Sequence, residues 1–316
     1  MKEPMERTGL TRRQFVQLMA AAGLGTALAA CAGEAPPTPE AAPTPPGDAA
    51  YLSVARGEDP AAITAAALAA IGGIERFVKP GNDVIVKPNI CVDYRTYEYG
   101  ATTNPQVVAI LVELCLGAGA GRVRVMDFPF GGGAESAYTR SGIADAVKAA
   151  GGQMEVMNPA KFRETDIPQG RDITRWPVYQ DVLAADVLID VPVAKHHNLT
   201  RLSLAGKNLL GVVQKRSQLH FNLPQRIPDL VSLVRPSLTV VDAVRTLMAH
   251  GPTGGNLSDV RLTNTVIASH DIVAADAYAA TLFDLTGKDI PYVKTAADMG
   301  LGTLDLGSIQ IEEIAV

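Results

Sequence analysis

The sequence predicts an α/β fold in which a mostly parallel sheet is covered by helices and two lobes enclose a cleft. Short apolar runs alternate along the chain with segments of helix length, and this alternation is typical of parallel sheets covered on both faces. Glycine and proline separate many of these runs, as expected for turns. Polar residues follow directly after several runs. Functional groups collect at the carboxyl ends of such strands, so these positions are the first candidates for a site.

The alternating apolar runs in the first half of the domain, from residue 51 onward, indicate a β-α-β unit. Asp59 before Pro60 and Asn104 before Pro105 are typical helix N-caps followed by a proline in the first turn. The predicted strands are 51–55, 83–87, 122–127 and 153–157, and the predicted helices are 60–71, 105–116, 134–139 and 143–150.

The second half repeats the alternation after an irregular polar segment, 159–175, which is expected to link lobes of roughly 51–170 and 171–316. Asp271 is the expected N-cap of a long alanine-rich helix. The predicted strands are 187–191, 238–242, 265–269 and 309–314, and the predicted helices are 204–213, 223–234, 272–285 and 292–299.

The N-terminus predicts export. Arg12 and Arg13, followed by Phe15 and an apolar run to Ala30, form a twin-arginine pattern whose apolar part is too short to remain as a membrane span. Cys31 ends a lipobox-like sequence and is the predicted lipidation site. Residues 1–30 are therefore predicted to be a signal peptide, 31–50 a Pro/Ala/Thr-rich tether, and 51–316 the folded domain. The expected location is the extracytoplasmic face of a membrane, reached through the twin-arginine translocase.

Charge and cysteine content exclude some functions. The chain of 316 residues carries a net charge of −5, and removal of residues 1–30 leaves about −7. An acidic domain without a basic stripe argues against nucleic acid as a partner. Beyond Cys31 only Cys91 and Cys115 are present, so a protein-ligated iron–sulfur cluster is not expected. Whether these two thiols pair is left open by the sequence.

The segment from Asp190 to His220 concentrates candidate catalytic groups. It follows the predicted strand 187–191 and contains three of the five histidines of the protein. Histidine can act as an acid, base or metal ligand, and a desolvated lysine can bind an anion or form an imine. A lysine inside an apolar run also needs a partner or a polar cleft, because burying an ammonium is costly. The candidate catalytic residues are Lys195, His197, Lys207 and Asn208.

Other predicted strand ends supply candidate substrate-binding residues. Asp127 is followed by a glycine-rich stretch whose N–H groups could bind an anion, although a plain turn is an equally good interpretation. Asp276, among alanines, is expected to need a partner such as a buried lysine. His220 and His250 are candidate ligands of a divalent metal, without a short ligand spacing to support them. The candidate substrate-binding residues are Lys87, Asn89, Asp127, Asp242, Gly251 and Thr253.

The order of these motifs resembles the family catalogued as domain of unknown function 362. The matching elements are 86–89, 103–105, 125–127, 191–197, 206–211, 241–242, 251–254 and 274–277. The resemblance implies an α/β architecture and little about activity. The family is also distantly similar to nickel-pincer lactate racemases, which implies a two-lobed cleft with lysine and histidine. Lys195 and His197 are the residues that match the Lys-x-His pattern of the family.

Two functional interpretations remain open from the sequence. In the first, the chain is an exported, lipid-anchored enzyme that acts on a small anionic or carbonyl-containing substrate, with redox or isomerase-type chemistry. In the second, it is a non-catalytic lipoprotein that binds a small ligand. Several acid–base groups at strand ends favour the enzyme, because a binding protein does not need them.

Overall fold

The fold is a central mixed sheet covered by helices on both faces, and the computed structural model describes residues 49–316. The strands are β1 (Leu52–Arg56), β2 (Asp83–Pro88), β3 (Arg122–Val125), β4 (Gln153–Met154), β5 (Phe162–Asp166), β6 (Arg175–Tyr179), β7 (Val187–Val191), β8 (Val193–His197), β9 (Arg201–Ser203), β10 (Leu238–Leu247), β11 (Val260–Ser269) and β12 (Ile311–Ala315).

The α-helices are α1 (Pro60–Ala70), α2 (Pro105–Gly117), α3 (Ala134–Arg140), α4 (Ile143–Ala149), α5 (Gln180–Ala184), α6 (Ala205–Asn208), α7 (Arg216–Leu219), α8 (Leu223–Val234), α9 (Ile272–Thr281) and α10 (Pro291–Asp298). The predicted caps are confirmed. The side chains of Asp59, Asn104 and Asp271 accept hydrogen bonds from backbone N–H groups in the first turns of α1, α2 and α9.

The sheet has ten strands, and its main path runs β12-β1-β11-β10-β7-β2-β3-β4. The pairs β7–β2, β2–β3, β3–β4, β10–β7 and β1–β12 are parallel, whereas β11 is antiparallel to both its neighbours. The predicted α/β class with a mostly parallel sheet is therefore confirmed. Both predicted lobe ranges, 51–170 and 171–316, contribute strands to this one sheet, and β1 of the first range lies between β12 and β11 of the second.

Each face of the sheet has its own hydrophobic core. Val187, Ile189 and Val191 of β7 belong to one cluster with residues of α1, α2 and α4. Leu188 points to the other cluster, which contains residues of α8, α9 and α10. This alternation along one buried strand is the period-2 pattern of a sheet covered on both sides.

Several predicted boundaries differ from the structure. The segment predicted to be irregular, 159–175, contains strand β5 and the connection to β6, which begins at Arg175 and pairs with β5 in an antiparallel hairpin. The helix predicted over 204–213 is only α6 followed by a 3-10 turn at Leu209–Val212. The stretch after Pro192 was expected to be a loop, but it is strand β8, which pairs with β9 and with β10. Pro192 interrupts pairing only locally, because β10 contacts β7 before this proline and β8 after it.

The predicted signal peptide and nearly all of the predicted tether lie outside the described residues. Within residues 49–316, no helix is both long and apolar enough to cross a membrane. Cys91 and Cys115 are both buried free thiols.

Candidate active site

A pocket of about 540 Å³ opens where three neighbouring parallel strands end. Its lining includes Asn89 directly after β2, Asp127 shortly after β3, and Pro192 directly after β7. Strand β8 supplies Lys195 and His197, and α6 supplies Lys207 and Asn208. The four residues predicted to be catalytic therefore line one pocket, at the position where parallel sheets place their sites.

A buried ion pair forms the base of the site. Lys87 is fully buried, and its Nζ lies 2.8 Å from Asp127 Oδ1 and 2.9 Å from the Pro88 carbonyl oxygen. The other carboxylate oxygen of Asp127 accepts the N–H of Ile90 at 2.7 Å. Because each charge is neutralised and hydrogen-bonded, Lys87 and Asp127 are better suited to shaping the pocket than to binding substrate.

Gly211 is required for this arrangement. A Cβ at residue 211 would lie 2.0 Å from Asp127 Oδ1 and 2.6 Å from Lys87 Nζ. Any larger side chain would displace the buried ion pair. The family-like sequence from Gly206 to Gly211 thus combines two lining residues, Lys207 and Asn208, with the glycine that packs against the ion pair.

A chain of amide hydrogen bonds fixes Lys195. Its Nζ donates to Asn89 Oδ1 at 2.6 Å and to the Ala101 carbonyl oxygen at 2.7 Å. Asn89 Nδ2 donates to Asn208 Oδ1 at 3.0 Å, and Asn208 Nδ2 donates to Asp190 Oδ1 at 2.8 Å. Because lysine can only donate, the direction of every bond in this chain is determined. Burial lowers the pKa of Lys195.

Asp190 ends that chain beneath the pocket and was not predicted as a site residue. It is fully buried, and its Oδ2 has no hydrogen-bond partner among the described residues. Burial raises the pKa of Asp190 to about 8, so the neutral acid is favoured at pH 7. The sequence signal was the single carboxylate in the apolar run 187–191, which is costly in a buried strand unless it is paired.

Lys207 differs from the other lysines of the site. Its ammonium has no hydrogen-bond or ion-pair partner among residues 49–316, although the residue lines the pocket. Burial, followed by repulsion from Lys195, lowers the pKa of Lys207 to about 7. An unpartnered amine that changes charge near neutral pH is suited to proton transfer or to attack on a carbonyl.

His197 lies in the same lining as a neutral imidazole. Its Nδ1 accepts the backbone N–H of Leu199 at 3.1 Å, so the proton of the neutral ring is on Nε2. Burial and the positive charges of Lys207 and Lys195 lower the pKa of His197 to about 3. His197 is therefore a hydrogen-bond donor through Nε2 at neutral pH, and it is a poor general base.

Arg216 and Lys215 also line the pocket and were not among the predicted site residues. The Arg216 guanidinium donates to the carbonyl oxygens of Phe128 at 2.6 Å and Pro129 at 2.9 Å, and lies 4.7 Å from the Phe128 ring centroid. Among residues 49–316, the pocket is lined by four cationic side chains and one carboxylate, Asp127, which is already paired with Lys87; the cationic residues are Lys195, Lys207, Lys215 and Arg216. The pocket therefore has an excess of positive charge and favours an anionic ligand.

Four of the predicted substrate-binding residues do not line the pocket: Lys87, which is buried below it in the ion pair with Asp127, and Asp242, Gly251 and Thr253. The Asp242 carboxylate accepts the backbone N–H groups of Asn104 at 2.6 Å and Val244 at 3.0 Å, which fixes the start of α2 against β10. Gly251 N–H donates to His196 Nδ1 at 3.1 Å, so this loop packs on the far part of β8. Thr253 is outside the pocket lining, although its neighbour Pro252 belongs to it.

The predicted metal ligands do not come together. His220 lines the pocket, but the mostly exposed His250 bonds Asp259 at 2.9 Å and lies outside the lining. Within residues 49–316, no group of three His, Cys, Asp or Glu side chains has the arrangement of a metal site. The lysines and Arg216 would also repel a divalent cation, and Asp127, the one carboxylate in the lining that the structure describes, is already paired with Lys87. The donor set does not fit such a metal.

The prediction that a buried lysine pairs with Asp276 is wrong. Its carboxylate oxygens accept the backbone N–H groups of Ala205 at 2.7 Å and Gly206 at 3.0 Å, at the start of α6. Burial raises the pKa of Asp276 to about 7, although the two backbone hydrogen bonds partly offset this. Asp276 therefore positions the helix that carries Lys207.

The glycine-rich stretch after Asp127 binds a carboxylate of the chain itself, because the Gly133 N–H donates to Asp93.

Together these features define an α/β protein with a cationic, lysine-lined pocket at the carboxyl ends of its parallel strands. The chain belongs to the family described as domain of unknown function DUF362, whose model matches residues 84–281. This range contains the strand ends and the helix α6 that form the pocket.

Comparison with known proteins gives one curated relative and distant solved structures. The chain is 25% identical over 240 residues to the thylakoid-associated protein sll1697 of Synechocystis sp., covering 73% of this chain and 72% of the relative. The lactate racemase apoprotein from Thermoanaerobacterium thermosaccharolyticum aligns with a TM-score of 0.44 and 13% identity, over 71% of this chain and 55% of the racemase. A Thermotoga maritima protein aligns with a TM-score of 0.40 and 13% identity, over 72% and 60%.

Proposed function

We propose that the chain is an enzyme that binds a small organic acid and moves a proton at the carbon beside a carbonyl group. The single observation that carries the proposal is Lys207, a pocket-lining amine without a partner among the described residues and with a pKa of about 7. A protein that only bound an anion would favour a lysine that stays charged.

In the proposed reaction, the carboxylate of the substrate is held by the cations Lys195 and Arg216. The neutral amine of Lys207 removes the proton from the carbon next to the carbonyl, and the electron pair of that C–H bond moves onto the carbonyl oxygen. The His197 Nε2–H donates to the oxygen that becomes negative, which is the role a neutral imidazole can take. When Lys207 returns a proton to the same carbon and the carbonyl re-forms, the cycle balances without a redox partner and exchanges that hydrogen with solvent, which is the proton transfer that an isomerase uses.

Proton exchange provides the test. The protein is incubated in D₂O with a panel of 2-oxo acids, and loss of the proton signal next to the carbonyl is followed by NMR. We expect exchange well above the spontaneous rate, and a loss of at least ~100-fold of this catalysis in Lys207→Met. Lys215→Met is the matched control for the charge of the pocket, because Lys215 also lines it but is half-exposed and already paired with Glu164 at 2.8 Å. It should retain catalysis.

Two outcomes would contradict the proposal. Stabilisation of the protein by an acid of the panel without any exchange would favour the ligand-binding alternative. Equal loss of catalysis in Lys207→Met and Lys215→Met would show that total positive charge matters rather than Lys207 itself.

We also propose that the protein is exported and anchored to a membrane by lipid on Cys31. The support is the twin-arginine pattern at Arg12 and Arg13 and the lipobox-like residues before Cys31. The relative in Synechocystis is named as thylakoid-associated, which is compatible with a membrane location. Lys substitutions at both arginines should block export, and Cys31→Ala should release the protein from membranes. Membrane fractionation and mass spectrometry of the N-terminus would refute the proposal if Cys31 carried no lipid.

A further inference from the structure

The pocket has two chemically different parts. The polar part contains the cations and amides described above. The apolar part comprises Ile90, Phe128, Phe130, Val193, Leu204 and Leu210. These apolar side chains add binding free energy only for a ligand that buries apolar surface of its own. They would therefore contribute little to the binding of a small hydrophilic acid.

The volume of the pocket also exceeds the size of a minimal substrate. A three-carbon organic acid occupies on the order of 100 Å³, judged from the ~30 Å³ that a water molecule takes up in the liquid. The pocket measures about 540 Å³. Such an acid bound at Lys207 would leave much of the pocket unfilled and the exposed ring of Phe130 in contact with water.

Phe128 and Phe130 are suited to contact an apolar group. Phe128 is held in place by the Phe162 ring, whose centroid lies 5.4 Å from its own, and by the Arg216 guanidinium, which lies 4.7 Å from the Phe128 centroid. Phe130 is 56% exposed although it lines the pocket, and its backbone N–H is fixed to the Cys91 carbonyl oxygen at 3.2 Å. A ligand that covered Phe130 would remove this surface from water without reordering the backbone.

We infer that the substrate is an amphipathic carboxylate, with its acid group at the lysines and an aryl or long alkyl group against Phe128 and Phe130. This inference rests on the proposed function, since it takes the acid group from the same cationic site. It adds the substrate class, which the charged residues alone do not specify.

The test compares ligands that share one acid group. Binding of pyruvate, 2-oxooctanoate and phenylpyruvate to the full chain is measured by titration calorimetry. We expect the two larger acids to bind on the order of 30-fold more tightly than pyruvate, from the apolar surface they bury. Phenylpyruvamide, which has the same ring without the carboxylate, should bind at least ~10-fold more weakly than phenylpyruvate.

Two phenylalanine variants locate the contact. Phe130→Ala should lower the affinity for phenylpyruvate by about 10-fold and leave that for pyruvate unchanged. Phe221→Ala is the matched control, because Phe221 is 81% exposed and does not line the pocket. It should change neither affinity.

The outcomes separate the two proposals. Equal affinities for pyruvate and phenylpyruvate, or equal effects of Phe130→Ala and Phe221→Ala, would overturn the substrate class and leave the anion site standing. Failure of all three acids to bind, or binding of the amide as tightly as of the acid, would overturn the anion site and with it the proposed function.

Discussion

Replacing Lys207 with methionine should stabilise the protein at neutral and acidic pH. The pKa of Lys207 falls from 10.5 to about 7 on folding, so the folded state disfavours the charged amine. That difference corresponds to about 5 kcal/mol at ~1.4 kcal/mol per pH unit. Lys207 is only partly buried by area and faces an open pocket, and solvent screening therefore reduces the effect. We expect a gain of about 2 kcal/mol for Lys207→Met at pH 6.

The pH dependence gives the sign of the effect. Between pH 7 and 10.5 the unfolded chain binds more protons at Lys207 than the folded chain, so the wild-type protein gains stability as pH rises. The advantage of Lys207→Met should therefore be complete below pH 7 and nearly absent at pH 10.5. Urea unfolding at several pH values measures it. Lys215→Met, at an exposed surface pair, should change stability by less than ~1 kcal/mol at every pH. A Lys207→Met protein that is less stable at pH 6 would refute the reasoning.

Three further predictions concern the base of the pocket. Lys87→Met should lower the free energy of unfolding in urea by about 3–5 kcal/mol, because it leaves the Asp127 charge buried without a partner. Adding Asp127→Asn should restore at least half of that loss, and no recovery would contradict a stabilising ion pair. Gly211→Ala should cost about 1–3 kcal/mol from the clash at Asp127, whereas Gly117→Ala, with open space around its Cβ, should be neutral or slightly stabilising. Asp190→Asn should become progressively more stable than wild type as pH rises from 4 to 8, since the pKa of Asp190 is raised to about 8; a constant difference would contradict this.

The sequence predicted the parallel core well, because it depends on local patterns, but the antiparallel strands Leu238–Leu247 and Val260–Ser269 are each ten residues long where five were predicted, and the strand predicted over 153–157 is only Gln153–Met154. Val187–Val191 has the boundaries that were predicted, and the caps Asp59, Asn104 and Asp271 act as expected. The site residues that follow these strands came together because parallel strands end at one edge of the sheet.

The errors arose where tertiary contacts decide the structure. Strand β8 was missed because Pro192 ends a strand in most sequences, and only pairing with β9 and β10 keeps the chain extended beyond it. Asp242 and Asp276 were expected to face substrate or a lysine, yet both accept backbone N–H groups. A sequence does not reveal which buried carboxylates bind their own backbone, because these partners lie far apart along the chain.

The roles of the lysines also required the structure. Lys87, Lys195 and Lys207 look alike in the sequence. In the fold, Lys87 is paired with Asp127, Lys195 is bound by Asn89, and Lys207 has no partner among the described residues. This difference is the reason why the proposed function makes Lys207 the proton carrier and His197 a neutral hydrogen-bond donor.

The most direct test of the central claim is a titration of Lys207 itself. Acetylation rates of individual lysines are measured by mass spectrometry across pH 5–11 with a trace of acetic anhydride, with and without phenylpyruvate. We expect a midpoint near 7 for Lys207, in agreement with its lowered pKa, and protection of Lys207 by the bound acid. Lys294, which is paired with Asp298 and lies outside the pocket lining, should not be protected by the acid. A midpoint near 10 for Lys207, or acetylation unaffected by the acid, would contradict the account.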